Sequence, residues 1–321
     1  MNDSKGFLHP ETLAKIQRLE MRARKVVEGF LNGTHRSPYF GQSVEFAQHR
    51  PYVSGDDLRH VDWKVWARQD RLYVKQFEEE TDLRCTVALD ISPSMAYGRG
   101  ALTKLQYAAT VAASLSWLIL KQQDAVGLVT FEQRFSQHLP QRSSQIHLAE
   151  LLEVLQSEVD RIENAPALDA ASQGGSVPET MAVEQADIEP IFLKLAGAFP
   201  RRGLFVIISD LLVDLDSFGR GIRGLAAAGH EILLLHVMDD DELDFPFEGP
   251  SRFEAFESNF WMKCNPKDLR DGYLAAVEEH LDQIRTITSR YAVDYRLVRT
   301  SESLAGVLTA FLNRRSLRLG R

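Results

Sequence analysis

Carboxylates and hydroxyls follow two apolar runs of the chain in a pattern suited to binding a divalent cation. Asp90, Ser92 and Ser94 are spaced as Asp-x-Ser-x-Ser directly after one apolar run, and Asp210 follows a second. Their oxygens are hard ligands of the kind Mg²⁺ prefers, and a cation would relieve the repulsion between two close carboxylates. An Asp after a strand also commonly caps the next helix, which is the alternative role of Asp210. We predict a metal site formed by these four side chains.

Alternating strands and helices are predicted around these residues, from Arg84 onward. Continuous β-branched and Leu-rich strands indicate a sheet that is buried on both faces. The pattern predicts an α/β fold with a doubly wound, mostly parallel sheet of Rossmann type. The predicted strands are 86–89, 125–131, 135–139 (an antiparallel edge), 204–208, 232–237 and 295–298. The predicted helices are 103–122, 146–159, 188–199, 216–228, 267–291 and 302–314.

The predicted sheet brings the candidate ligands together. In open α/β sheets, ligands bind beyond the carboxyl ends of the strands, where the strand order reverses. The strands that precede Asp90 and Asp210 are predicted to be neighbours at that point. Both carboxylates would then face one crevice.

The N-terminal part of the chain differs from the rest in composition and in its predicted elements. A charged helix is predicted over 10–31, and residues 35–76 are rich in Gly, Ser, Tyr, Asp and aromatics, which is typical of loops and short strands. We predict an N-terminal helix and short β/loop segment, residues 1–82, packed on an α/β domain over residues 83–321. A flexible loop is predicted over 164–185, where Ala, Ser, Gly and Pro are frequent.

Bulk composition argues against several classes of protein. Acidic residues outnumber basic ones by 45 to 37, and the formal charge of −8 disfavours nucleic-acid binding. No apolar run is long enough for a membrane span, and the first residues lack the pattern of a signal peptide. With only Cys85 and Cys264 as cysteines, we expect a cytoplasmic protein with reduced thiols. The chain has no Gly-x-x-x-x-Gly-Lys-Ser/Thr loop, and no Gly-x-Gly-x-x-Gly motif follows the first predicted strand, so we do not expect it to bind a nucleotide.

The candidate site and the segment before it carry a family resemblance. The Asp-x-Ser-x-Ser pattern with a later Asp resembles the metal-ion-dependent adhesion site of von Willebrand factor A domains. The upstream motifs resemble the signature of a bacterial von Willebrand factor A-like group, domain-of-unknown-function family fifty-eight, from about residue 35 to the end. These motifs are Glu45-Phe46, Arg50-Pro51-Tyr52, Ser54-Gly55-Asp56-Asp57-Leu58-Arg59-His60-Val61-Asp62-Trp63, Ala67-Arg68 and Val74-Lys75-Gln76-Phe77-Glu78-Glu79-Glu80.

The resemblance implies a ligand set, from which this chain departs at one position. In the adhesion-site family the first Asp, both serines, a later Thr and a later Asp surround Mg²⁺, which carries over to Asp90, Ser92, Ser94 and Asp210. The position that matches the Thr is Ala186, and alanine cannot coordinate a metal. Thr180, Ser176 or water could take its place.

The resemblance also implies a function. Members of the group accompany AAA+ ATPases of the MoxR type in the assembly or maturation of other complexes. We expect a non-enzymatic adaptor whose bound Mg²⁺ accepts a carboxylate of a partner, with an unknown client. The alternatives are a metal-dependent hydrolase (a phosphatase or nuclease), for which Asp187 is the candidate base, and a structural member whose metal site has decayed.

Two other charged features are expected to be structural. The block over 55–63 packs Asp56, Asp57 and Asp62 near Arg59 and Arg68, which favours buried ion pairs over catalysis. The acidic run over 239–244 is expected to be a solvated loop, with a second cation site as the alternative.

Overall fold

The computed structural model describes residues 9–34, 48–51, 65, 73–76, 83–132, 134–164, 187–254 and 261–319. The chain forms two compact units. The larger unit comprises residues 1–33 and 83–321, and the smaller one comprises residues 34–82. The helical N-terminus therefore belongs to the same unit as the α/β sheet, whereas the sequence analysis grouped it with residues 35–82.

The larger unit contains a six-stranded sheet and its covering helices. Its helices are α1 (Pro10–Leu13), α2 (Leu19–Thr34), α3 (Lys104–Lys121), α4 (Gln145–Glu163), α5 (Glu189–Ala198), α6 (Leu215–Ala227), α7 (Asp240–Asp244), α8 (Pro266–Arg290) and α9 (Leu304–Leu319). Its sheet strands are β3 (Arg84–Asp90), β4 (Ala125–Phe131), β5 (Phe135–Arg142), β6 (Leu204–Ser209), β7 (Glu231–Met238) and β10 (Asp294–Arg299), and a separate hairpin joins β8 (Ser251–Glu254) to β9 (Trp261–Cys264).

The strand order of the sheet is β10-β7-β6-β3-β4-β5. All neighbours are parallel except β5, which pairs antiparallel with β4 at the edge, as predicted. From β3 the chain first proceeds outward through β4 and β5, and then returns to the other side of β3 with β6. The order therefore reverses between β3 and β6, which confirms the predicted switch point.

Alternate residues of the central strands enter two separate cores, which is why apolar residues occur in succession along these strands instead of alternating with polar ones. Val87 and Leu89 face one core, where α1, α2, α3, α4 and α9 pack. Ala88 and Ile207 face the other, where α5, α6 and α8 pack. Helices thus cover both faces of the sheet, and the doubly wound α/β fold is confirmed.

The single N-terminal helix predicted over 10–31 is wrong. The structure has α1 and α2 with a turn between them, and the Arg22 guanidinium donates a hydrogen bond to the carbonyl of Ile16 within that turn. Leu13 and Leu19 are six residues apart, so an unbroken helix would point them about 120° from each other. The turn allows both leucines to be buried in the same core.

Three elements after β7 were not predicted. α7 and the β8–β9 hairpin follow β7, where the sequence suggested only a charged loop. Helix α7 begins at a capping box, in which the Asp239 side chain accepts from a backbone amide of the first turn and Glu242 accepts from the Asp239 amide. The acidic run is therefore ordered, and Asp239 is buried.

Apart from Thr34 at the end of α2, the smaller unit is described only at β1 (Gln48–Pro51), β2 (Tyr73–Gln76) and Val65. The two strands pair antiparallel, with Gln48 opposite Gln76 and Pro51 opposite Tyr73. The block over 55–63 lies outside the described residues, so its expected ion pairs stay a prediction.

Candidate metal centre

Asp90 is the last residue of the central strand β3, at its carboxyl end, and the Asp90 side chain is buried. One oxygen, Oδ1, accepts from the backbone amide of Ser92 at 2.9 Å. The other, Oδ2, accepts from the Ser209 hydroxyl at 2.5 Å. Among the residues that the structure describes, no cationic side chain forms an ion pair with Asp90. The two hydrogen bonds that its carboxylate accepts come from uncharged groups.

Ser92 and Ser94 lie in the turn that follows β3. A short 3₁₀ helix begins at Pro93, whose ring fixes the backbone angle at that position, and brings the two hydroxyls to 3.0 Å from each other. The Ser94 side chain also interacts with Asp210 and lowers the pKa of this carboxyl. Hydrogen bonds thus join Asp90, Ser92 and Ser94, and Asp210 interacts with this group through Ser94. Ser209, which the sequence analysis did not identify, also contributes to the site because its hydroxyl donates to Asp90.

Asp210 follows β6 and is held by a lysine that was not predicted to be near it. The Lys104 ammonium lies 2.8 Å from Asp210 Oδ2 and 2.6 Å from Glu242 Oε1, and the lysine side chain is fully buried. Lys104 is the first residue of α3, where the helix dipole disfavours a cation. A lysine at the start of an otherwise apolar helix was the sequence signal that could have identified it.

The turn after Asp210 has a strained backbone. Leu211 has a φ of 53°, in the left-handed region that residues with side chains seldom adopt. Its amide donates to Ser209 Oγ at 2.9 Å, and its side chain is buried. The next residue, Leu212, is 46% exposed beside the site. Strain of this kind is characteristic of functional loops, where the surrounding contacts hold the backbone in place.

A buried histidine supports the backbone of Asp210. His236 Nε2 lies 2.9 Å from the Asp210 carbonyl oxygen, and Nδ1 lies 3.0 Å from the Tyr295 hydroxyl. A carbonyl can only accept, so Nε2 carries the proton and Nδ1 accepts from Tyr295. Burial lowers the pKa of His236 to about 4, which keeps the ring neutral.

The two aspartates differ in the protonation they favour. Burial, followed by the charge of Asp210, raises the pKa of Asp90 to about 7. Burial would also raise the pKa of Asp210, but the Lys104 ammonium outweighs it and lowers that pKa. Burial raises the pKa of Glu242 in spite of its contact with Lys104. Asp210 is thus compensated by a cation of the protein, and Asp90 is not.

The residues present fit a divalent cation in their chemistry. The site offers carboxylate and hydroxyl oxygens, which suit Mg²⁺ better than softer metals. With Asp90 ionised, three carboxylates and the Lys104 ammonium leave a formal charge of −2, which one divalent cation would balance. Within the described part of the chain no cluster of three or more His, Cys, Asp or Glu is arranged to hold a metal. A cation here would thus depend on Ser92 and Ser94.

The remaining candidate positions lie before α5. Ala186, Thr180 and Ser176 are outside the described residues, so the fifth ligand stays a prediction. Asp187 is exposed, and its Oδ1 accepts from the Glu189 amide at 3.1 Å at the start of α5. Asp187, the candidate base of a hydrolase, thus forms a local hydrogen bond with the backbone two residues further on, as aspartates in turns commonly do.

Comparison with known proteins identifies the family. The model of the family described as "Protein of unknown function DUF58" matches residues 48–283, more than two thirds of the chain. The chain belongs to this family. The DUF58 protein is also 26% identical over 280 residues to uncharacterized proteins of Mycobacterium tuberculosis and Mycobacterium bovis, with 87% of this chain and 82% of each relative covered.

Solved structures resemble this DUF58 protein at low identity. The protein BatB of Bacteroides thetaiotaomicron is 15% identical, with a TM-score of 0.41 and coverage of 73% of this chain and 98% of BatB. An aerotolerance-related membrane protein of Bacteroides fragilis is 18% identical, with a TM-score of 0.43 and coverage of 72% and 99%. The SpRpn10 VWA domain is 11% identical, with a TM-score of 0.36 and coverage of 71% and 94%.

No helix in the described ranges of the DUF58 protein is both long and apolar enough to cross a bilayer. The most apolar long helix, α3, carries Lys104 at its start and Lys121 at its end, and it is buried against the sheet.

Proposed function

We propose that this chain is a cytoplasmic, non-enzymatic adaptor that binds Mg²⁺ at Asp90, Ser92, Ser94 and Asp210 and uses the cation to bind a carboxylate of a partner protein. The observation that carries the proposal is the buried Asp90 carboxylate, which has no cationic partner among the described residues and lies beside two hydroxyls 3.0 Å apart. An ionised carboxylate in such a place is costly unless a cation compensates it.

Each ligand would have a distinct part in holding the cation. Asp90 would supply the uncompensated negative charge, and Ser92 and Ser94 would supply neutral oxygens. Asp210 is already paired with Lys104, so it would orient the site through its interaction with the Ser94 side chain. A bound Mg²⁺ supplies a hard positive centre that can accept one further oxygen, such as that of a glutamate or aspartate.

The rim of the site suits a protein partner. Leu212 is 46% exposed directly after Asp210, and an apolar side chain in that position can pack against residues that flank a partner's carboxylate. Arg99 has 67% of its side chain exposed and lies 3.5 Å from Asp241. An apolar side chain directly after Asp210 and a basic side chain in the segment that follows Ser94 would favour an acidic side chain in an apolar context.

The proposed partner is a MoxR-type AAA+ ATPase, with which the chain would act in assembling or maturing a client complex. This part of the proposal rests on the family to which the chain belongs. The decisive experiment is a pull-down of the organism's MoxR-type ATPase by wild type and by Asp90→Ala, each with Mg²⁺ and with EDTA.

The expected result is recovery by wild type with Mg²⁺ and at least five-fold less in the other three conditions. Asp216→Ala, which changes an exposed aspartate of α6, is the matched control and should behave as wild type. Equal recovery in all conditions would refute a metal-bridged adaptor.

A second candidate is a structural member of the family whose site works without a metal. The observation that favours it is Lys104, whose ammonium already compensates Asp210. Thermal unfolding separates the two candidates, because a ligand that binds the folded state raises the melting temperature with its concentration. A rise with Mg²⁺ in wild type that is lost in Asp90→Ala supports the metal-binding adaptor, and no rise supports the structural member.

A further inference from the structure

Lys104 connects the candidate metal site to helix α7. Its ammonium is shared between Asp210 Oδ2 at 2.8 Å and Glu242 Oε1 at 2.6 Å, and the lysine is fully buried while Glu242 is 17% exposed. The Tyr97 ring lies 6.0 Å from the same ammonium. One cation of the protein therefore divides its charge between a predicted metal ligand and a carboxylate from a different element.

Neither helix stability nor burial explains a lysine at this position. The first turn of a helix favours anions, and α3 already has a capping box formed by Thr103 and Gln106. A buried ammonium must also give up its hydration, which requires strong compensation from nearby carboxylates. The contacts that repay this cost are those with Asp210 and Glu242, both of which are about a hundred or more residues away in sequence.

The ammonium also determines how Asp210 can meet a cation. Asp210 Oδ2 lies 2.8 Å from the Lys104 ammonium, Oδ1 accepts from the Leu212 amide at 3.4 Å, and the Ser94 side chain also interacts with this carboxylate. Without Lys104, Asp210 would be free to coordinate directly, and the formal charge of the site would change from −2 to −3. Without the charge of Glu242, the ammonium would form an ion pair with Asp210 only, and the formal charge of the site would change from −2 to −1.

We propose that Lys104 is a positioning residue that sets the affinity of the site for a divalent cation, and that Glu242 tunes it from α7. This inference rests on the proposed function, in which the site binds Mg²⁺. Lys104 weakens binding by neutralising Asp210, and Glu242 strengthens it by drawing the ammonium away. Helix α7, which follows β7 and contributes no ligand, thereby influences the affinity of the site for the cation.

The two substitutions should change affinity in opposite directions. Lys104→Met keeps the length of the side chain and removes its charge, and we expect Mg²⁺ and Mn²⁺ to bind at least ten-fold more tightly, which corresponds to about 1.4 kcal/mol. Glu242→Gln keeps a hydrogen-bond acceptor for Lys104 and removes the negative charge, and we expect binding at least three-fold weaker. A purely structural pair would lower stability in both variants without an opposite effect on the metal.

The experiment is calorimetric titration of the full chain with each metal, for wild type, the two variants and Asp241→Asn. Asp241 is the neighbour of Glu242 in α7 and contacts Tyr97 and Arg99 instead of Lys104, so it is the matched control. Its substitution should change the affinity by less than three-fold. Thermal unfolding without metal, recorded in parallel, separates a change of affinity from a loss of the fold.

The outcomes distinguish this inference from the proposed function. If wild type binds the metals and Lys104→Met binds them equally or more weakly, the inference is overturned and the proposed function stands. If wild type does not bind and Lys104→Met does, the inference is supported and the proposed function fails. Binding by neither overturns both. If Lys104→Met does not fold, Glu242→Gln decides, because equal or tighter binding in that variant overturns the inference.

Discussion

Replacing the Asp90 carboxylate with an amide should stabilise the metal-free protein. Asp90 is buried, and burial together with Asp210 raises its pKa from 3.8 to about 7. At pH 8 the folded chain must hold an ionised carboxylate that has no cationic partner among the described residues. Asp90→Asn has nearly the same shape and can still accept from the Ser92 amide, but it has no charge. It therefore resembles the protonated aspartate at every pH.

The magnitude follows from the shift in pKa. Between pH 4 and pH 7 the folded wild type holds a proton that the unfolded chain has released, so its stability falls as the pH rises through this window. A shift of about three pH units corresponds to about 4 kcal/mol. The difference in the free energy of unfolding between Asp90→Asn and wild type should therefore increase by this amount, in favour of Asp90→Asn, as the pH rises from 4 to 8. At roughly 2 °C per kcal/mol for a chain of this size, the gain in melting temperature is about 8 °C.

The assay is thermal or urea unfolding in EDTA at pH 4.5, 6 and 8, with the exposed Asp268→Asn as a control that should follow wild type. Adding Mg²⁺ at pH 8 should raise the melting temperature of wild type and leave that of Asp90→Asn unchanged. If the difference between the two proteins is the same at all three pH values, Asp90 is not the uncompensated buried charge that we describe.

Three further predictions concern His236, the helical glycines Gly221 and Gly272, and Leu212. The lowered pKa of His236 contributes about 3 kcal/mol to the free energy of unfolding above pH 6.5, and this contribution is lost as the pH falls to about 4. His236→Gln should remove this pH dependence. If the free energies of unfolding of wild type and His236→Gln, measured with urea, differ by a constant amount across that window, the prediction is contradicted. Gly221→Ala should destabilise by about 1–2 kcal/mol, since its Cβ would lie 2.8 Å from the Phe192 ring. Gly272→Ala, on an open helix surface, should instead stabilise by up to about 1 kcal/mol, and the same sign for both would refute the packing argument. Leu212→Ser should leave the melting temperature unchanged and weaken ATPase recovery in the pull-down; undiminished recovery would exclude Leu212 from the partner surface.

Local pattern was sufficient for most elements of the sheet and its helices. The strand Ala125–Phe131 and the helix Lys104–Lys121 agree with the prediction to within a residue, because periodic burial is encoded in consecutive residues. Asp90 could be placed at a strand end for the same reason. The break before Leu19 was missed, since it depends on which residues face the core and not on local propensity.

The sequence by itself determined the fold class, the position of Asp90, Ser92 and Ser94 in one turn, and the strand end at which Asp210 lies. Only the tertiary structure decided what surrounds them. Ser209 reaches Asp90 across 119 residues, and Lys104 reaches Glu242 across 138. Such contacts depend on strand order and on the angle at which each helix crosses the sheet, which no local pattern specifies. The formal charge of the site depends on these long-range partners.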